Sequence, residues 1–160
     1  MNKFQDVLMP IKGEVEVAVI REGGNVEIVD KVPNLFLSAG MYHLAVSQTT
    51  APASAMNFMH VGTGPNGATS MGILVLEGAV GSRATMISRT TPASTNILVE
   101  VATFAGFVSG ITSLVLREIG RFNVAVTGGT MAARATFSAL TLADSDFAQF
   151  TWRTTVGSTA

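Results

Sequence analysis

The chain has 160 residues, 48% of them hydrophobic and 13% charged, with a formal net charge of −1 and no cysteine. Charged side chains make up about 25% of an ordinary soluble domain, so roughly half the usual solvating supply is missing, which predicts a surface covered by other protein. The near-zero charge without clustered Lys or Arg argues against direct nucleic-acid binding, and the lack of cysteine excludes disulfides, thiolate catalysis and the common zinc frameworks.

A chain of this length fits one domain with a true core. Residues 1–12 read as an N-terminal arm, with Phe4, Val7 and Leu8 as candidate contacts to a neighbour, and residues 13–160 as a single domain. Met1 to Asp6 lacks the basic-then-apolar order of a secretory signal, so no export route is expected.

Glu14 to Val19 alternates strictly and predicts a half-buried strand with Val15, Val17 and Val19 on one face. Arg21 to Asn25 supplies a Gly-Gly turn, and Val26 to Val29 returns as the second strand of a hairpin. Asn34 is placed to cap a helix over roughly residues 35–47, where Leu37, Met41, Leu44 and Ala45 recur at helical spacing. Gln48 to Ala55 reads as a loop.

The remaining strands are expected at about Asn57 to Val61, Ser82 to Arg89, Ile97 to Ala105, Ser113 to Ile119, Met131 to Ala139 and Phe147 to Val156. In the last two, Met131, Ala133, Ala135 and Phe137 oppose Arg134, Thr136 and Ser138, while Phe150, Trp152, Thr154 and Val156 oppose Thr151, Arg153 and Thr155. Each predicts one buried and one polar face. Val101 to Leu116 carries no formal charge and holds a GxxxG match at Gly106 to Gly110, but it is shorter than the roughly 20 residues of a membrane span and rich in β-branched residues. Two strands joined by a turn account for it. About eight short strands and one helix make an all-β fold, an antiparallel β-sandwich of jelly-roll-like form.

Chemistry-bearing residues are sparse. His43 and His60 fall in different segments and read as structural histidines. Gly62-Thr63-Gly64-Pro65-Asn66-Gly67 lacks the Lys of a phosphate loop and reads as a tight chain reversal. Asp144 and Asp146 sit in a polar break and read as solvated turn residues, too few for a calcium loop. Catalytic, metal and cofactor sites are therefore expected to be absent. Beyond Lys31 every cation is Arg, and Arg83, Arg89, Arg117, Arg121, Arg134 and Arg153 are candidates for contacts between subunits because guanidinium enters contacts with less desolvation cost than ammonium; Phe122 is a further candidate interface residue.

Several landmarks recur in a fixed order: Gly13 before the hairpin, Asn34-Leu35 with Gly40, Val61-Gly62-Thr63-Gly64, and Leu76 followed by Arg83. Then come Glu118-Ile119-Gly120-Arg121-Phe122, Met131 to Phe137 with Arg134, and Phe150-Thr151-Trp152. This order resembles small tailed-bacteriophage virion proteins, some of them capsid cement or decoration proteins, with related modules in tail fibres. One position departs from the pattern: Arg121 stands where an apolar residue is expected between the Gly and the aromatic.

The resemblance implies a non-enzymatic structural protein, assembled in the host cytoplasm, that binds the exterior of the capsid and stabilises it. It implies a homotrimer that contacts the major capsid protein, without membrane or direct nucleic-acid partners. A tail-fibre, tail-tip or baseplate component is the alternative within this class. A carbohydrate-binding or hydrolytic β-sandwich, using Trp152, Tyr42 or Asp144 and Asp146, is the alternative from a different one. Contacts to neighbours are expected at the arm, at Gln48 to Ala55 and at Gly64 to Met71.

Overall fold

A computed structural model describes residues 11–46, 55–64, 72, 74–93, 95–106 and 113–157. In chain order the elements are β1 (Ile11–Ile20), β2 (Val26–Pro33), β3 (Leu35–Phe36), α1 (Ser38–Val46), β4 (Phe58–Gly62), β5 (Ala79–Thr85), β6 (Ser88–Thr90), β7 (Ile97–Ala105), β8 (Ser113–Phe122), β9 (Met131–Ala143) and β10 (Phe147–Val156). They form two antiparallel five-stranded sheets. Sheet A runs β2-β1-β10-β7-β6 and sheet B runs β3-β9-β8-β4-β5. This is the all-β sandwich that the alternation predicts.

Four strand pairs are nested in sequence: β1 with β10, β3 with β9, β4 with β8, and β6 with β7. Nesting of this kind is what a long hairpin leaves when it rolls up, the jelly-roll-like aspect of the fold. The outermost and innermost pairs lie in sheet A and the two middle pairs in sheet B.

Alternation decides what enters the core. Val15, Val17 and Val19 of β1 and Ala148, Phe150 and Trp152 of β10 face Ala133, Ala135 and Phe137 of β9 and Leu116 and Ile119 of β8. Trp152 and Phe150 are fully enclosed. Phe150 meets Phe104 edge-on at 5.8 Å and Phe137 at 5.5 Å, the offset geometries that aromatic quadrupoles favour.

Several expectations need correction. The segment expected as one strand, Ser82 to Arg89, is split. Its first part is β5 in sheet B and its last part β6 in sheet A, with Met86 and Ile87 crossing between the sheets. The helix starts at Ser38, because Leu35 and Phe36 pair with Arg134 and Ala133 as a short strand. Asn34 is thus not a helix cap: its N–H donates to Gly13 O at 3.0 Å. Its side chain occupies the place where a Cβ on Gly13 would stand. Met41, expected inward, is 42% exposed. The helix instead approaches β9 through Leu37, which is buried, and Gly40, whose missing Cβ leaves room for the Ala132 backbone. Two residues given to the arm, Ile11 and Lys12, already belong to β1.

Edges are blunted in ways that discourage strand-to-strand pairing. In β2 the register shifts, with Asp30 opposite Val17 but Ile28 opposite Ala18, leaving Val29 as a bulge. Asp30 then turns across to sheet B, where its Oδ2 accepts the Ser138 N–H at 3.0 Å. At the other edge β6 has three residues.

Candidate interaction surface

The two sheets differ on their outer faces. Sheet B carries a second hydrophobic cluster there, Leu37, Leu76, Phe122 and Met131, under α1 and the segment before β5. Among the described residues no helix packs on the outer face of sheet A.

Register maps that open face. Its first cross-strand row is Val26, Ile20, Phe147 and Ala105, and its second is Ile28, Ala18, Gln149 and Thr103. Val26, Ile28 and Phe147 are 60%, 59% and 45% exposed. Further down come Lys31, Glu16, Thr151 and Val101, then Pro33, Glu14, Arg153 and Val99. Lys31 Nζ lies 3.1 Å from Glu16 Oε2 and Arg153 Nη1 3.6 Å from the same oxygen. Glu14 is exposed and has no ion-pair partner among the described residues. A shallow recess of about 400 Å³ opens here, walled by Lys12, Glu14, Lys31, Pro33 and Arg153. One face thus carries an apolar end and a charged end.

Of the candidate contact residues Arg153 lies on this face, and Arg83, Arg89, Arg117, Arg121, Phe122 and Arg134 lie elsewhere. Phe4, Val7 and Leu8 are outside the described residues, as are most of the two loops expected to meet neighbours. Arg121, Phe122 and Arg134 are buried within the subunit, which corrects their assignment to an outer contact. Arg121 points inward with Ile119 and reaches Glu100 of sheet A, Nη2 to Oε1 at 2.7 Å. That buried carboxylate is what admits an arginine where an apolar residue was expected. Burial lowers the Arg121 pKa; the Glu100 charge opposes this and the Arg89 charge adds to it.

Arg89 donates through Nε to the same Glu100 oxygen at 2.8 Å and through Nη1 to Asn57 Oδ1 at 2.9 Å, and its Nη2 meets Met56 O. Arg83 stacks over the Phe122 ring, 3.8 Å from its centroid, and Nη1 donates to Val124 O and Gly128 O at 2.9 Å each. The guanidinium geometry that suggested contacts between subunits is used here within one.

The remaining chemical candidates also have structural roles. His60 Nε2 lies 3.1 Å from Gly81 O and its ring meets Phe122 edge-on, while His43 lies in α1. Asp146 is not a solvated turn residue: it is buried, accepts the Ala143 N–H at 2.9 Å and pairs with Arg21 at 2.6 Å. Its hydrogen bond from Ala143, with help from Arg21, lowers its pKa against the opposing effect of burial. Trp152 is enclosed in the core and offers no sugar platform. Among the described residues no three His, Cys, Asp or Glu side chains gather as metal ligands, and no helix is long and apolar enough to cross a membrane.

Sequence reasoning missed the open face because alternation separates two sides of a strand without saying which side a second layer will cover. The available signal was Val26 and Ile28 flanking Glu27, with Ile20 and Phe147 at the ends of their strands. No family model, curated protein or solved structure matches the chain.

Proposed function

We propose that this chain is a non-enzymatic structural protein of a tailed-bacteriophage particle, acting as a cement or decoration subunit bound to the capsid exterior. The observation that carries the reading is the outer face of sheet A, a finished sandwich surface that still presents Val26, Ile28 and Phe147 to solvent. Contiguous apolar patches of this kind mark places where protein is covered by protein. A subunit that binds only the assembled shell shifts the equilibrium against disassembly, and many copies in symmetric array multiply modest contacts.

The resemblance landmarks support the reading in a second way, because they are packing couples. Gly13 lies against Asn34, Gly40 against Ala132, Gly62 and Gly64 against Glu118, Leu76 against Gly120, and Arg83 against Phe122. Residues tied together like this specify a fold, as expected of an assembly module whose function is to present a surface.

Labelling purified particles of the encoding phage with antibody, viewed by electron microscopy, tests the proposal. Label over the capsid, together with earlier genome release on heating when the protein is absent, is the expected result. Label on the tail would move the chain to the tail-component alternative, and particles free of the protein would overturn the virion reading.

A further inference from the structure

We infer that the outer face of sheet A is a contact between two copies of this chain, related by a two-fold axis parallel to the strands and midway between β1 and β10. The inference names a partner for the open face in the reading above, and it stands or falls on solution mass rather than on particle location.

Register supplies the argument. Sheets pack face to face with their strands within about 30° of each other, so the rows of one face meet the rows of the other. Rotation about an axis along the strands keeps each row at its own height and exchanges β1 with β10 and β2 with β7. Ile20 then faces the partner's Phe147, and Val26 faces the partner's Ala105: apolar meets apolar twice. Three rows below, Glu14 faces the partner's Arg153 and Arg153 the partner's Glu14.

Glu14, like Lys12 near it, is without an ion pair among the described residues, while Arg153 keeps one long ion pair to Glu16, at 3.6 Å, and its Nη1 makes no hydrogen bond. An axis across the strands through the middle of the face would instead set Val26, Ile20 and Phe147 against the charged end, which buries unpaired charge. The self-complementary arrangement is therefore specific in direction. Blunting of β2 by its bulge and the brevity of β6 leave the face, rather than an edge, for association. With net charge −1, no long-range repulsion keeps copies apart.

A contact of this symmetry adds pairs to whatever other contacts exist. The chain alone is expected as a dimer, or as a hexamer where the three-fold implied by the resemblance also forms. Sedimentation of the full chain with Glu14→Arg, and separately with Arg153→Glu, places like charges across the axis twice. Each variant should weaken the pairing by about tenfold or more in Kd while keeping a near wild-type melting curve.

Mixing the two variants is the decisive arm. Arg at position 14 then meets Glu at 153 on one side, and the native Arg153 meets the native Glu14 on the other, so pairing should return. A wild-type chain that stays monomeric or purely trimeric, variants that pair like wild type, or a mixture that fails to re-associate would each overturn the inference. A shell protein as the true occupant would show itself as the monomer. None of these results bears on whether the protein is found in particles.

Discussion

Glu118 and Arg134 form a fully enclosed ion pair on the side of sheet B away from the core, with Nη2 at 2.6 Å and Nε at 2.8 Å from the same carboxylate oxygen. Neither side chain is exposed, and Glu77 reaches Arg134 from outside at 3.4 Å. Removing one member leaves the other charged and unpaired in a dry environment. Arg134→Ala is expected to cost about 3–5 kcal/mol. Arg134→Lys is expected to recover little, since a single ammonium cannot place separate donors on Glu118 and Glu77 as the planar guanidinium does through Nε and Nη1. Chemical denaturation of the three proteins checks both statements, and a Lys variant as stable as wild type would show that the fork is dispensable.

The second oxygen of Glu118 explains the glycines of the Gly62-Thr63-Gly64 turn. A Cβ on Gly62 would stand 2.4 Å from Oε1, and one on Gly64 2.9 Å from it. Neither glycine has a positive φ, so space rather than backbone freedom is what they supply. Gly62→Ala should destabilise by roughly 1–3 kcal/mol through overpacking. In a double-mutant cycle with Glu118→Ala the two losses should add only in part, because the nearest obstructing atom, Oε1, is gone while Gly78 O still lies 2.9 Å from the new Cβ. Fully additive losses would place the strain elsewhere.

This glycine pair also shows what sequence could and could not deliver. A break after Val61 was legible from composition, but the reason for its glycines lies in a carboxylate more than fifty residues downstream, outside any periodic window. The same holds for β9. Its alternation correctly sends Ala133, Ala135 and Phe137 inward, yet predicts a polar opposite face where Arg134 is fully buried. Strand pattern reports the side that meets the other sheet; α1 and the segment ahead of β5, which cover the second side, leave no trace in it. Strands beginning and ending at Gly or Asp were readable, whereas the crossing at Met86 and Ile87 was not, since a strand that changes sheets keeps its β-propensity throughout. The candidate interface suffered most: Arg enrichment signals demanding contacts, but not whether they lie within or between subunits.

Arg83 holds the loop between β8 and β9. It donates to Val124 O and Gly128 O while covering Phe122, and Asn123 Oδ1 accepts the Thr130 N–H at 2.7 Å. Arg83→Ala is expected to lower stability by about 1–2 kcal/mol from the lost hydrogen bonds and cation–π contact. The more specific expectation concerns dynamics: hydrogen exchange should accelerate across residues 123–130 and remain near wild type in β1 and β10. Uniform acceleration would mean that Arg83 supports the whole sheet.

Trp152 provides an internal reporter. As the single tryptophan, fully enclosed between the sheets, it should emit at short wavelength, resist quenching by acrylamide in the folded protein and shift to the red on unfolding. Easy quenching in the native state would contradict the sandwich core itself.

Asp146 sets a pH dependence whose sign follows from its partners. The Ala143 N–H and the Arg21 guanidinium favour the carboxylate, so its folded pKa lies below that of the unfolded chain, about 3.9. A depressed folded value means that the stabilisation is fully present above the unfolded pKa. It is lost as pH falls through the folded one, where protonation removes the charge that both donors address. Asp146→Asn keeps the shape but not the charge. Thermal melts of the two proteins should therefore differ most near neutral pH, with wild type the more stable, and converge as pH drops below about 4. A gap that stays constant down to pH 2 would mean that shape alone, and not charge, is what the turn between β9 and β10 requires.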